Sequence, residues 1–145
     1  MLRQLELADM DAAARVHRTA LDHALPALAG LHTPDEDRWF YRERVFGTCE
    51  LWGAFDDAGM TGVLAFREGW IDQLYVLPVA QRHGVGSALL QVAQNAYHQL
   101  QLWTFQRNGP ARRFYEARGF ALVSQTDGGG NEEREPDALY LWIRR

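Results

Sequence analysis

The chain has 145 residues, 47% of them hydrophobic and 23% charged, with 19 acidic against 15 basic side chains and a net charge of −4. That size supports one domain, expected over residues 1–145, with a core that needs no covalent staples. A single cysteine, Cys49, excludes a disulfide framework and a multi-cysteine metal cage, and the acidic balance argues against a nucleic-acid binder.

Leu2 to Leu7 reads as a short strand. Asp9 then caps a helix from about Met10 to Leu25, with Ala13, Val16, Ala20 and Leu21 at helical spacing. A loop from Pro26 to His32 leads to Thr33-Pro34-Asp35-Glu36, a capping box whose helix should run to about Val45. Strands are expected at Glu50–Phe55 and Thr61–Arg67, joined by the turn Asp56-Asp57-Ala58-Gly59, and a third at Ile71–Leu77, stopped by Pro78. A helix from about Val85 to His98 carries the apolar stripe Val85, Ala88, Leu89, Val92, Ala93 and Ala96. Leu100–Phe105 should be a strand, Pro110–Arg118 a helix, and Phe120–Gln125 and Ala138–Ile143 the last two strands. The order β-α-α-β-β-β-α-β-α-β-β describes a mixed α/β domain. No apolar run is long enough to span a membrane, and Met1 to Glu6 has no signal-peptide character, so a cytoplasmic protein without a membrane partner is expected.

The most informative stretch runs from Leu74 to Leu90, where a strand ends at a proline and a glycine turn opens a helix. The first amides of a helix lack internal acceptors and, with the helix dipole, favour an anion. Glycines at 84 and 86 let a phosphate approach the main chain. A dinucleotide fingerprint needs a third glycine that Gly84-Val85-Gly86-Ser87-Ala88-Leu89 lacks, and a P-loop needs a lysine, of which this chain has none. The turn that holds the pyrophosphate of coenzyme A, Gln/Arg-x-x-Gly-x-Gly/Ala, fits Gln81-Arg82-His83-Gly84-Val85-Gly86 throughout.

With that turn, and with Asn108-Gly109-Pro110-Ala111-Arg112-Arg113-Phe114-Tyr115-Glu116-Ala117-Arg118-Gly119-Phe120 downstream, the sequence strongly resembles the GNAT N-acetyltransferase superfamily. The resemblance implies the GNAT fold, a mixed central sheet of about seven strands with helices on both faces and with the fourth and fifth strands splayed. It implies acetyl-CoA as the donor. Its pantetheine arm would lie along the main chain of Leu74, Tyr75 and Val76. Gln81 opens the turn, and the main chain of Arg82, His83, Gly84, Val85, Gly86 and Ser87 would cradle the pyrophosphate. Asn108 would reach the pantetheine, Ala111 and Phe114 would pack on the coenzyme, and Arg82, Arg112 and Arg113 could meet its 3′-phosphate.

The implied reaction is acyl transfer from a thioester to an amine, which must shed a proton while the leaving thiolate gains one. Tyr115 stands at the family's tyrosine position and is the expected general acid; a main-chain N–H at Tyr75 or Val76 would meet the developing oxyanion. The base is not carried over by the motif. Asp72 is a candidate because strand alternation puts it on the face of Leu74 and Val76, with a structural polar contact as the other reading. The acceptor pocket is expected from segments outside the motifs: Glu36 and Trp39, Trp103, and the loop from Asp127 to Asp137, where Glu133 and Asp137 could hold an ammonium. That loop could equally be a solvated hairpin tip. The five histidines have no zinc spacing, and no metal is expected. The expected partner is a small-molecule or peptide amine, transferred to directly because Cys49 lies outside both motifs. A homodimer is compatible with the resemblance, but no interface is legible. The rival readings are a catalytically silent acyl-CoA-binding module, and an enzyme of the same fold that uses another acyl group or a hydroxyl acceptor.

Overall fold

A computed structural model describes residues 1–145. Seven strands form one sheet in the order β1-β2-β3-β4-β5-β7-β6. They are β1 (Leu2–Gln4), β2 (Glu50–Asp56), β3 (Gly59–Arg67), β4 (Trp70–Val76), β5 (Gln99–Phe105), β6 (Ala121–Thr126) and β7 (Asp137–Ile143). Five helices accompany them: α1 (Met10–Ala24), α2 (Pro34–Phe40), α3 (Phe46–Thr48), α4 (Val85–Ala96) and α5 (Gly109–Glu116).

The strand β1 stops at Gln4, earlier than the apolar pattern suggests, because Glu6 and Asp9 close a capping turn into a short 3-10 helix. The helix opened by Thr33 also departs from a uniform spiral: between α2 and α3, Tyr41–Val45 widens into a π turn. Both faces of the sheet are covered. On one face α4 and α5 contribute Leu89, Leu90, Ala93 and Tyr115 to a cluster with Leu64, Phe66 and Leu102. On the other, α1 and the π turn bring Met10, Ala13, Val16, Tyr41 and Val45 against Leu51, Val63 and Ala65. Central β3 is buried over Met60–Phe66, as a strand covered on both faces must be.

One pair of strands breaks the regular ladder. β4 and β5 run parallel but pair only at Trp70 and Gln101, with the Gln101 N–H donating to the Gly69 carbonyl at 2.9 Å. Beyond that rung they separate and leave one edge of β4 open. No helix is long and apolar enough to cross a membrane.

Candidate active site

The gap between β4 and β5 opens into a cleft of about 2010 Å³, more than the usual several hundred Å³ of a single-ligand pocket. Its floor is the open edge of β4. The Leu77 N–H donates to the Thr61 carbonyl at 2.8 Å, so alternation directs the main-chain groups of Tyr75 and Gln73 to β3. Those of Leu74 and Val76 therefore face the cleft, where the Gln81 side chain donates to the Val76 carbonyl at 3.0 Å. The expectation that the Tyr75 N–H serves the site is thus corrected, because that group belongs to the β3 ladder.

The edge leads to the start of α4. Gly84 takes φ +81° as the residue before the helix, a conformation that glycine adopts without strain. Arg82 before it takes φ +67°, strained for a side chain with a Cβ. The N–H groups of Val85, Gly86 and Ser87 find no acceptor in the protein. A Cβ on Gly86 would stand 3.2 Å from the Phe114 ring, so the missing side chain also lets α5 close on the turn. Arg118 stacks over Phe114 with its guanidinium carbon 3.9 Å from the ring centre and donates to the Ser87 hydroxyl at 2.6 and 3.0 Å. Arg82, Arg113 and Arg118 line this end of the cleft. Unpartnered amides, an open strand edge and three guanidinium groups suit a ligand with an amide-bearing arm and phosphates, which is the chemistry of coenzyme A.

Several expected coenzyme residues stand elsewhere. Arg112 does not line the cleft: its guanidinium donates to the Tyr140 hydroxyl at 2.9 Å and to the Gln106 carbonyl at 3.3 Å, and Tyr140 donates to Glu116. The side chains of His83 and Val85 also lie outside the lining, and that of Val85 packs on the core, although the Val85 N–H stays unpartnered at the start of α4. Asn108 lines the cleft, but its side-chain oxygen caps α5 by accepting the Ala111 N–H. Leu74, Val76, Ala111 and Phe114 line it.

At the middle of the cleft stands Tyr115, 8% exposed and packed edge-on against Phe114 and Phe120. Its hydroxyl has no partner in the protein, and burial, followed by the nearby Tyr75, holds it above the ordinary tyrosine value, so it stays protonated. Asp72 differs from its expected position. It is the extra residue of a bulge between the pairs Ala65–Gln73 and Phe66–Ile71, so the alternation that put it on the face of Leu74 breaks there. Its carboxylate turns to the α1 face, held by Arg67 at 2.7 and 3.1 Å and accepting from Cys49 at 3.4 Å. Asp72 still lines the cleft, but its carboxylate is engaged in this ion pair. Burial pushes the Cys49 thiol up to about 11, so it is not a thiolate at neutral pH.

The far end of the cleft is built from three segments. Tyr75 lies on the α1 face of β4 and stacks on His17 of α1, ring centres 4.2 Å apart. The His17 Nδ1 is hydrogen-bonded to the Tyr41 hydroxyl at 2.8 Å, and burial lowers its pKa to about 4, so the ring is neutral. The Tyr75 hydroxyl has no protein partner, and burial pushes it up to about 12, the Glu133 charge adding to that shift and Arg18 opposing it. Arg18 is bound by Asp37 at 2.8 and 2.9 Å. Glu36 caps its own helix, accepting the Thr33 N–H at 2.7 Å, which holds its carboxyl below the usual range. Trp39 and Trp103 line the cleft, 52% and 47% exposed.

The loop between β6 and β7 is no loose hairpin tip. The Asn131 amide donates to the Glu135 carbonyl and to Asp137, at 2.7 and 3.1 Å, and buried Glu135 is paired with Arg107 at 2.9 Å. Asp137 also accepts from the Thr126 hydroxyl. Asp137 lines the cleft as well, but its carboxylate is engaged in holding the loop. Glu133 has no partner in the protein and faces the cleft. His17 and Arg118 are the contributors that sequence reading missed. His17 interrupts the apolar stripe of α1, and Arg118 falls four residues after Phe114, one turn on; either spacing was a usable signal.

A family model described as an acetyltransferase (GNAT) domain matches residues 34–122. The peptidyl-lysine N-acetyltransferase YiaC of Escherichia coli is 34% identical over 83 residues, and the match spans 57% of this chain and 57% of that relative. The uncharacterized N-acetyltransferase YafP of Escherichia coli is 32% identical over 111 residues, 76% of this chain and 70% of that one. The PaiA N-acetyltransferase of Thermoplasma acidophilum, solved with coenzyme A, superposes with a TM-score of 0.71 at 20% identity, over 99% of this chain and 98% of that one.

Proposed function

Because the chain belongs to the GNAT acetyltransferase family, we propose that it is an acetyl-CoA-dependent N-acetyltransferase acting by direct transfer on a cationic amine of a small molecule or peptide. One observation carries the reading: the open edge of β4 runs directly into the unpartnered amides of α4, with the protonated Tyr115 hydroxyl lining the same cleft. Bound acetyl-CoA would supply an activated acyl thioester. The Leu74 and Val76 main chain would hold its arm as an added strand, and the amides of Val85, Gly86 and Ser87 with Arg118 would take its phosphates.

The Val76 N–H, facing the cleft, would donate to the acyl oxygen as charge gathers there. Glu133, acidic and unpaired, would attract the ammonium and orient it beside the Tyr75 hydroxyl. The amine sheds two protons overall: Tyr115 delivers one to the departing sulfur and is reloaded, and the other leaves to water. Cys49, outside the cleft lining and with its thiol pKa raised by burial, is not placed to relay the acyl group, in keeping with direct transfer.

Coenzyme A thiol release in the presence of a panel of amines tests the reading. Turnover is expected with at least one primary amine, and Tyr115→Phe should lower kcat by roughly 10²–10⁴ while leaving CoA affinity intact. Tight CoA binding with no turnover on any amine would overturn it in favour of a silent acyl-CoA-binding module.

A further inference from the structure

The two halves of the sheet, parted beyond the Trp70–Gln101 rung, meet again at the mouth of the acceptor end. There His32, in the loop before α2, places Nε2 3.1 Å from the Glu132 carboxylate in the loop between β6 and β7. One side of this contact belongs to the β4 half of the molecule and the other to the β5 half, and both residues line the cleft. Rung, walls and clasp together close a ring around the acceptor end.

The walls are fixed independently of the clasp. On the α2 side, Thr33 and Glu36 bind each other's main chain and Arg18 holds Asp37 against α1. On the other side, Asn131 ties Glu135 and Asp137 together, and Arg107 holds Glu135 from the start of the β5–α5 turn. Gly128 sits so close to the Glu135 main chain that a Cβ would fall 2.4 Å from its carbonyl carbon. An exposed His–Glu pair contributes little to stability. Its consequence here is the span itself, a bar across an opening between two braced loops.

We infer that this ring is a size filter: the acceptor is the amine of a slender free molecule threaded into the cleft, and not a lysine carried on the surface of a folded protein. The inference rests on the acetyltransferase reading above and names its substrate class. Inside the ring, Glu133 supplies the charge that draws a cation, and the Tyr75–His17 stack supplies a flat wall for an alkyl stem. A lysine on a folded surface would have to bring its carrier against the His32–Glu132 bar before its amine reached Tyr75.

The test compares kcat/KM for 1,4-diaminobutane with that for the lysines of folded cytochrome c, both with saturating acetyl-CoA. The native protein should prefer the diamine by at least about tenfold, a difference of about 1.4 kcal/mol. The double variant His32→Ala/Glu132→Ala should cut that preference at least fivefold or so by raising turnover of the protein substrate. Glu132→Gln, which can still meet His32, should keep the native ratio. Equal turnover of the two substrates by the native protein, or an unchanged ratio in the double variant, overturns the filter and leaves the enzyme reading standing. A ratio that falls as far in Glu132→Gln as in the double variant also overturns it, since charge would then set the preference. Absence of turnover on any amine, with CoA still bound, overturns the acetyltransferase reading and the filter with it.

Discussion

The two ends of the cleft work with different materials. At the coenzyme end the functional groups are main-chain amides of β4 and α4, arranged by strand register and one glycine turn and reinforced by Arg118. At the proposed acceptor end the groups facing the cleft are side chains of His17, Tyr75 and Glu133, which come from three distant segments and are positioned by packing and by the Asn131 and Arg107 contacts. A main-chain site can tolerate change in most side chains but not in backbone geometry. A side-chain site has the opposite sensitivity, and the same fold can therefore keep its donor while changing its acceptor.

Substitutions at the two ends should separate accordingly. The largest effect is expected from Gly86→Asp, which puts a negative charge among the amides and a Cβ 3.2 Å from Phe114. CoA affinity measured by calorimetry should fall by roughly a thousandfold or more, since repulsion and lost contact act together. Retained micromolar binding would break the assignment of the main-chain end. Next comes acid sensitivity of the acceptor end. His17 titrates near 4 in the folded protein against an ordinary 6.5, so between those values the unfolded chain holds a proton that the folded one refuses. Stability should be complete above pH 6.5 and fall as pH drops towards 4, by at most about 3 kcal/mol. Urea midpoints across that range should show the slope, and His17→Gln should flatten it.

A smaller contrast sits within the loop between β6 and β7. Glu133→Gln should raise KM for a cationic amine by roughly tenfold and leave KM for acetyl-CoA unchanged. Asp137→Asn, by contrast, should lower the melting temperature and disturb both constants, because its carboxylate secures Thr126 and Asn131. The smallest effect is expected from Arg118→Gln. It should weaken CoA binding by about threefold to tenfold and reduce the salt dependence of that binding, in line with one lost charge contact to a phosphate.

The same division explains what could be read from the residues alone. The element order and both helix-opening signals, the Thr33 capping box and the Gly84 turn, are local patterns, and the structure carries them at their expected places. The coenzyme end was legible because a backbone cradle needs consecutive residues of particular conformation. Asp72 was misplaced because alternation assumes an unbroken ladder, and the bulge at that residue inverts its face. The spacing of Arg118 from Phe114 hints at their stack, but only the packed fold commits Arg112 to Tyr140 and takes it out of the cleft. Asp137 looks like a free acid until Asn131 and Thr126 are folded against it. A pairing across 100 positions, such as His32 with Glu132, leaves no periodic trace.

The open edge of β4 has one more implication. A strand with unpaired amides and carbonyls will accept any extended chain that reaches it, and proteins ordinarily shield such edges with charge, bulges or covering loops. Here the edge cannot be blunted without losing its use, so protection comes from depth. α4 and α5 line the cleft on one face of the sheet, and a partner's strand would have to enter the cleft to reach the edge. A coenzyme arm laid along that edge would also occupy the groups through which edge-to-edge pairing proceeds.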